Sequence, residues 1–257
     1  IMIRTNRKMN ARLPLFSASS AACLLSCFLW FSVPATAQQS ATARETAPVD
    51  FTGYWTAVVT EDWRWRMMTP PKGDCASVPL NPAGRELANA WDPQDDDGCR
   101  AYGAGAIMRM PLRLHITWED DTTLRIDTDH GMQTRLLRFS EETQARGAVP
   151  SLQGYSAAKW AGNPGGRFEF VNVPPQLSYL EVITTNLAPG YLRKNGVPYS
   201  GDAVVKEFIE RHSDFGEEWI TVTTILNDPT YLAQEFITSS SFKKLDDDRA
   251  WNPTPCQ

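Results

Sequence analysis

Histidine and cysteine are scarce in this chain: three of the first and five of the second in 257 residues. His115, His130 and His212 fall in no HxH or HExxH spacing, so the sequence carries no ready zinc or metalloprotease motif. A G-x-S-x-G elbow is missing, which disfavours the usual serine hydrolase. No glycine-rich phosphate loop sits between a strand and a helix, which disfavours nucleotide and nicotinamide chemistry. We therefore expect no cofactor and no metal. Beyond residue 33 no run is long and apolar enough to cross a bilayer, so no stable membrane insertion is expected of the remaining chain.

What is present begins with Arg4, Arg7, Lys8 and Arg12, with no acid among them. An apolar stretch follows, densest over 21–33 after a polar break at 17–20, and ends at Pro34 and Ala35-Thr36-Ala37. That order of charged, apolar and small-residue regions is a secretory signal. We expect 1–37 to be a signal peptide, 38–50 a short flexible lead and 51–257 a single β-rich domain, located in the periplasm or outside the cell. An uncleaved anchor is the alternative, because 13–33 is almost long enough to span a bilayer. Leu24-Leu25-Ser26-Cys27 looks like a lipoprotein box, but the large apolar residues 28–31 that follow do not suit the start of a mature chain.

Cleavage after Ala37 leaves 220 residues, with 21 Lys and Arg against 30 Asp and Glu, a formal charge of −9. Such a surface repels phosphate backbones, and no basic patch with interleaved aromatics offsets it, so nucleic acid is excluded as a partner. Three cysteines remain: Cys75, Cys99 and Cys256. In an oxidising compartment one disulfide is expected and one thiol is left over. Cys99 with Cys256 would tie the tail to a loop, and Cys75 with Cys99 would staple the segment between them; the spacing leaves both open.

Period-two alternation dominates from residue 107. Leu114, Ile116 and Trp118 share one face, opposite His115, Thr117 and Glu119. Turns at Asp120-Asp121 and Asp129-His130-Gly131 convert 114–139 into a three-strand meander. Further strands are expected within 51–60 and near 155–160, 167–172 and 178–185, with a hairpin of 204–211 and 218–226 and a last strand at 235–243. One helix is signalled over 81–91: Asn81 caps it, Pro82 suits its first turn, and Leu87, Ala90 and Trp91 form its apolar stripe. The balance predicts an all-β fold, an antiparallel barrel or sandwich with one short helix; the alternative is α+β with that helix against the sheet.

The Gly53-x-Trp55 opening, Cys99-x-x-Tyr102-Gly103, the 114–139 meander, Tyr155-Ser156 to Trp160, Thr184-Thr185-Asn186, Glu207 to Arg211 and Asp228-Pro229 to Phe236 resemble a family of uncharacterised exported bacterial proteins. Gly53-x-Trp55 beside a first strand also resembles the opening of lipocalin-type (calycin-like) barrels. The resemblance implies an exported barrel and no assigned catalytic residue.

Candidate chemistry is spread thinly. His115 with Glu119, or Tyr191 beside Arg193, could exchange a proton with a bound substrate. A solvated strand residue and a plain hairpin are the simpler readings of the two. Arg64 and Arg66, alternating with Trp63 and Trp65 on an expected strand, are candidates to orient an anionic or carbonyl-bearing ligand. Trp118, Arg135, Arg193 and Tyr199 complete the candidate binding set; the 191–200 loop holds two of these and a turn at Asn195-Gly196. Three functions follow: a carrier of a small, partly apolar molecule in a barrel or sandwich cavity, a cofactor-independent lyase, isomerase or hydrolase, or an envelope-associated interaction module. Eight tryptophans in the 220 residues favour the carrier, because they make rigid amphipathic walls. Oligomeric state is not readable from this sequence.

Overall fold

A computed structural model describes residues 41–96, 98–140, 148–162, 166–168, 171–173 and 179–256. The expected signal peptide lies outside these residues. The strands are β1 (Gly53–Val58), β2 (Arg113–Asp120), β3 (Thr123–Thr128), β4 (Thr134–Arg138) and β5 (Tyr155–Ala161). There follow β6 (Gly166–Phe168), β7 (Val171–Val173), β8 (Tyr179–Thr185), β9 (Gly190–Arg193) and β10 (Val197–Tyr199). The chain closes with β11 (Val204–Asp214), β12 (Glu217–Asn227) and β13 (Phe236–Leu245).

Nine of these form a closed barrel in the order β1-β13-β12-β11-β8-β5-β4-β3-β2, with β2 returning to β1. Barrel, not sandwich, is the architecture. All neighbours are antiparallel except β4 and β5, which run parallel and share only two residue pairs, Leu137 with Ser156 and Arg138 with Ala157. Alternation sets which face is inside. Leu114 and Ile116 of β2 are buried, and His115 and Thr117, which alternate with them, are half-buried on the outer wall. Trp55 of β1 is completely buried, and its indole N–H donates to the Phe51 carbonyl at 2.9 Å, which satisfies its one polar group inside the core. Fully burying aliphatic side chains such as Leu114, Ile126 and Val222 stabilises by about 1.5–3 kcal/mol each.

The segment expected as a strand over 167–172 is instead the two-stranded pair β6–β7. The stretch 107–112 is not strand either. Ile107–Arg109 forms a 3-10 turn inside a run, 101–110, in which every residue is buried. That run belongs to two cores. Tyr102, Ile107, Met108 and Met110 pack with the barrel interior, and Ala104 packs with a second cluster containing Leu80, Ala88, Leu192, Val197 and Tyr199. The second cluster is a cap in which the chain between β1 and β2 and the β9–β10 hairpin pack on Val205 of β11, Leu226 of β12 and Phe236 of β13.

Of the expected flexible lead, 41–50 is tied down. Thr42 and Glu45 exchange side-chain to backbone hydrogen bonds, Arg44 N–H donates to the Asp121 carbonyl, and the Trp160 indole donates to the Ala43 carbonyl. At the other end, Thr254 exchanges backbone hydrogen bonds with Asp129 and Gly131. Cys99 and Cys256 form the disulfide, and Cys75 is free and buried, its thiol pKa raised by that burial.

Candidate functional site

Two short helices shape the cap. The first, α1 (Trp63–Arg66), replaces the strand expected there, with Met67 N–H donating to the Trp63 carbonyl. The second, α2 (Pro82–Ala90), begins where the sequence places it: the Asn81 carboxamide oxygen accepts from Gly84 N–H at 2.9 Å, a cap worth about 1 kcal/mol. Its inward face differs from the stripe read in the sequence. Gly84 and Ala88 are the buried positions, and Gly84 approaches the Tyr231 backbone so closely that a Cβ would collide with its carbonyl. Because small residues make this close approach, Leu87, Ala90 and Trp91 face away from the core and line a cleft.

The cleft holds about 230 Å³. Leu87, Ala90 and Trp91 line it from α2, Tyr191 and Tyr199 from the β9–β10 hairpin, and Arg100 and Tyr231 from the flanking chain, with Asp92 and Asp95 also present. Arg100 Nη1 donates to the Tyr191 hydroxyl at 3.1 Å and its guanidinium lies 5.7 Å from the centre of that ring. A phenol oxygen that accepts from Arg100 directs its own proton away from the arginine. The Tyr199 ring is fully buried. Burial raises its phenol pKa, so it stays protonated, and its buried hydroxyl has no hydrogen-bond partner among the described residues.

Gly196 fixes Trp91. It lies in the turn between β9 and β10 at φ +76°, and a Cβ there would overlap the Trp91 ring. Gly196→Ala is expected to cost roughly 1–3 kcal/mol by urea denaturation, from backbone strain and displacement of the indole. An unchanged midpoint would show that the turn and the indole relax freely.

The other residues singled out in the sequence are scattered. His115 is on the outer wall, stacked on its cross-strand neighbour Tyr54 at 4.1 Å between ring centres and edge-on to Trp251. It lines a shallow groove with Asp127. Glu119 is engaged by Arg125 at 3.0 Å, so the structure does not couple it to His115. Trp118 packs against Phe139 at 5.7 Å. Arg135 lies inside the barrel, bidentate to Glu207. Arg64 is largely exposed and pairs with Asp74 at 2.7 Å. Arg66 and Arg193 do meet, in a small void beside Arg109, which the sequence reading passed over. Tyr191 and Tyr199 are the two sequence candidates that share the cleft beside α2. Trp91 and Arg100 also line this cleft and are not among the ligand contacts singled out in the sequence; a tryptophan at the end of a short helix, two residues before a proline, was the available signal.

No family model, curated protein or solved structure matches this chain. The closed nine-strand barrel is consistent with a calycin-like fold in general terms and selects no narrower family.

Proposed function

We propose that this is an exported binding protein for a small, partly apolar molecule, held in the cleft between α2 and the β9–β10 hairpin. The observation that carries the reading is the composition of that cleft: the four aromatic rings of Trp91, Tyr191, Tyr199 and Tyr231 with the Leu87 and Ala90 side chains, around one ordered Arg100–Tyr191 donor pair. Apolar walls with a few placed polar groups are what small-molecule sites are made of. The barrel interior is a poorer host, because its inward side chains pack on one another in a single cluster. At about 230 Å³ the cleft falls below the ~300–1,000 Å³ of drug-sized sites, so the ligand is small. The Tyr191 hydroxyl, oriented by Arg100, suits a ligand carbonyl or carboxylate. Export is supported by the N-terminal charge and apolar pattern and by the disulfide, which an oxidising compartment maintains.

Ligand-observed NMR against a set of small aromatic and short-chain carboxylic acids tests this. Binders are expected to weaken about tenfold in Trp91→Ala, for a loss of roughly 1.4 kcal/mol. Tyr191→Phe removes one hydrogen bond and is expected to weaken them about two- to tenfold. Binders with equal affinity for both variants and the wild type would remove the cleft from consideration.

A further inference from the structure

Away from that cleft, under α1, three guanidinium groups converge. Arg66, Arg109 and Arg193 are each less than a tenth exposed, and they border one void of about 20 Å³ together with Trp65, Met68 and Lys194. Their partners do not balance them. Arg66 pairs with Glu61 and donates through Nε to the Arg109 carbonyl at 2.7 Å. Arg109 pairs with Asp62 at 2.8 Å. Arg193 meets only backbone carbonyls, Ala76 at 2.6 Å and Asp74 at 3.5 Å, and the face of Trp65 at 4.8 Å. Among the described residues no carboxylate lies within ion-pair distance of Arg193, and the Asp74 side chain is taken by Arg64 and the Trp65 indole. Two buried donors, Arg66 Nη2 and Arg193 Nε, have no acceptor.

We infer that Arg66, Arg109 and Arg193 bind one small inorganic anion of halide size. The void has room for a single water-sized particle. A water there would accept from the two unpaired donors but bring two protons of its own that need acceptors, whereas a halide accepts from every side and donates nothing. A bound negative charge also offsets the uncompensated buried cation, which otherwise carries a desolvation penalty. Burial first, and repulsion from Arg109 after it, lower the guanidinium pKa of Arg66 and of Arg193. The site is separate from the α2 cleft and stands or falls independently of it.

The test is chloride against gluconate at constant ionic strength, read by the melting temperature of the full chain, with bromide anomalous diffraction to locate the ion. Chloride is expected to raise the midpoint saturably, by ~5–10 °C at a hundredfold excess over Kd, and bromide to give one peak between Arg66 Nη2 and Arg193 Nε. Arg193→Met is expected to abolish the chloride response. If that variant does not fold, the bromide peak and the chloride titration of the wild-type protein decide the matter. Equal midpoints in the two salts overturn the assignment, as does a chloride response with no peak at this position. A peak without a saturable response marks binding at crystal concentration only and overturns it as well.

Discussion

Replacing Cys99 and Cys256 with serine is expected to lower the melting temperature by roughly 10–20 °C, measured by calorimetry on the oxidised wild type and the double variant. The two residues are 157 apart, and closing a loop of that length in the unfolded chain is worth about 5 kcal/mol in the chain-entropy treatment of crosslinks. The native ends gain from it too. Thr254 is hydrogen-bonded to Asp129 and Gly131 beside the β3–β4 turn, and the disulfide holds this tail against Tyr102 and its neighbours in the buried 101–110 run. Reductant should reproduce the loss in the wild type and leave the double variant unmoved. A shift below about 2 °C would mean that the backbone contacts of the tail suffice and the crosslink is incidental.

The second large effect is inside the barrel. Arg135 of β4 makes two hydrogen bonds to Glu207 of β11, at 3.1 and 2.6 Å, and both side chains are fully buried. Thr184 of β8 accepts from Arg135 at 3.4 Å and is hydrogen-bonded to Ser156 of β5 at 2.8 Å. Glu207→Leu or Arg135→Met alone leaves an uncompensated buried charge and is expected to cost about 3–5 kcal/mol in urea unfolding. Combining Arg135→Met with Glu207→Leu should recover much of that loss, because the pair had to be desolvated as well as joined. A double variant whose cost equals the sum of the single costs would show that the two residues act independently.

Neither residue of this pair identifies the other in the sequence. Arg135 was visible as a possible ligand contact, but its partner is 72 residues away on β11, which β5 and β8 separate from β4 in the barrel wall. The strands themselves were legible where one face is buried and the other wet, as in 114–119, because alternation over six residues fits only one period. At Trp63-Arg64-Trp65-Arg66 four residues are too few to separate a period of 2 from 3.6, and the segment became a helical turn. The helix cap at Asn81 was legible from local chemistry alone. Which side of α2 is buried was not, since hydrophobicity favoured Leu87 and Trp91 while close approach required Gly84 and Ala88. The cleft shares that fate: Tyr191 and Tyr199 stood out as donors on a turn-rich hairpin, whereas Arg100 gains its role only from a contact 91 residues away. The arginine void is similar, for Arg109 lies between apolar residues and shows its function only through the neighbours that the cap gathers.

The two-pair contact between β4 and β5 sets the mechanics of the whole barrel. Antiparallel joins elsewhere carry up to eleven pairs, as between β11 and β12, so the wall is a hoop of uneven stiffness with a narrow clasp. Behind that clasp the Arg135 side chain runs from β4 past β5 and β8 to β11, a tie-rod spanning the place where backbone rungs are fewest. At this join the two backbone pairs are supplemented by the bonds that the Arg135 guanidinium makes across the barrel interior.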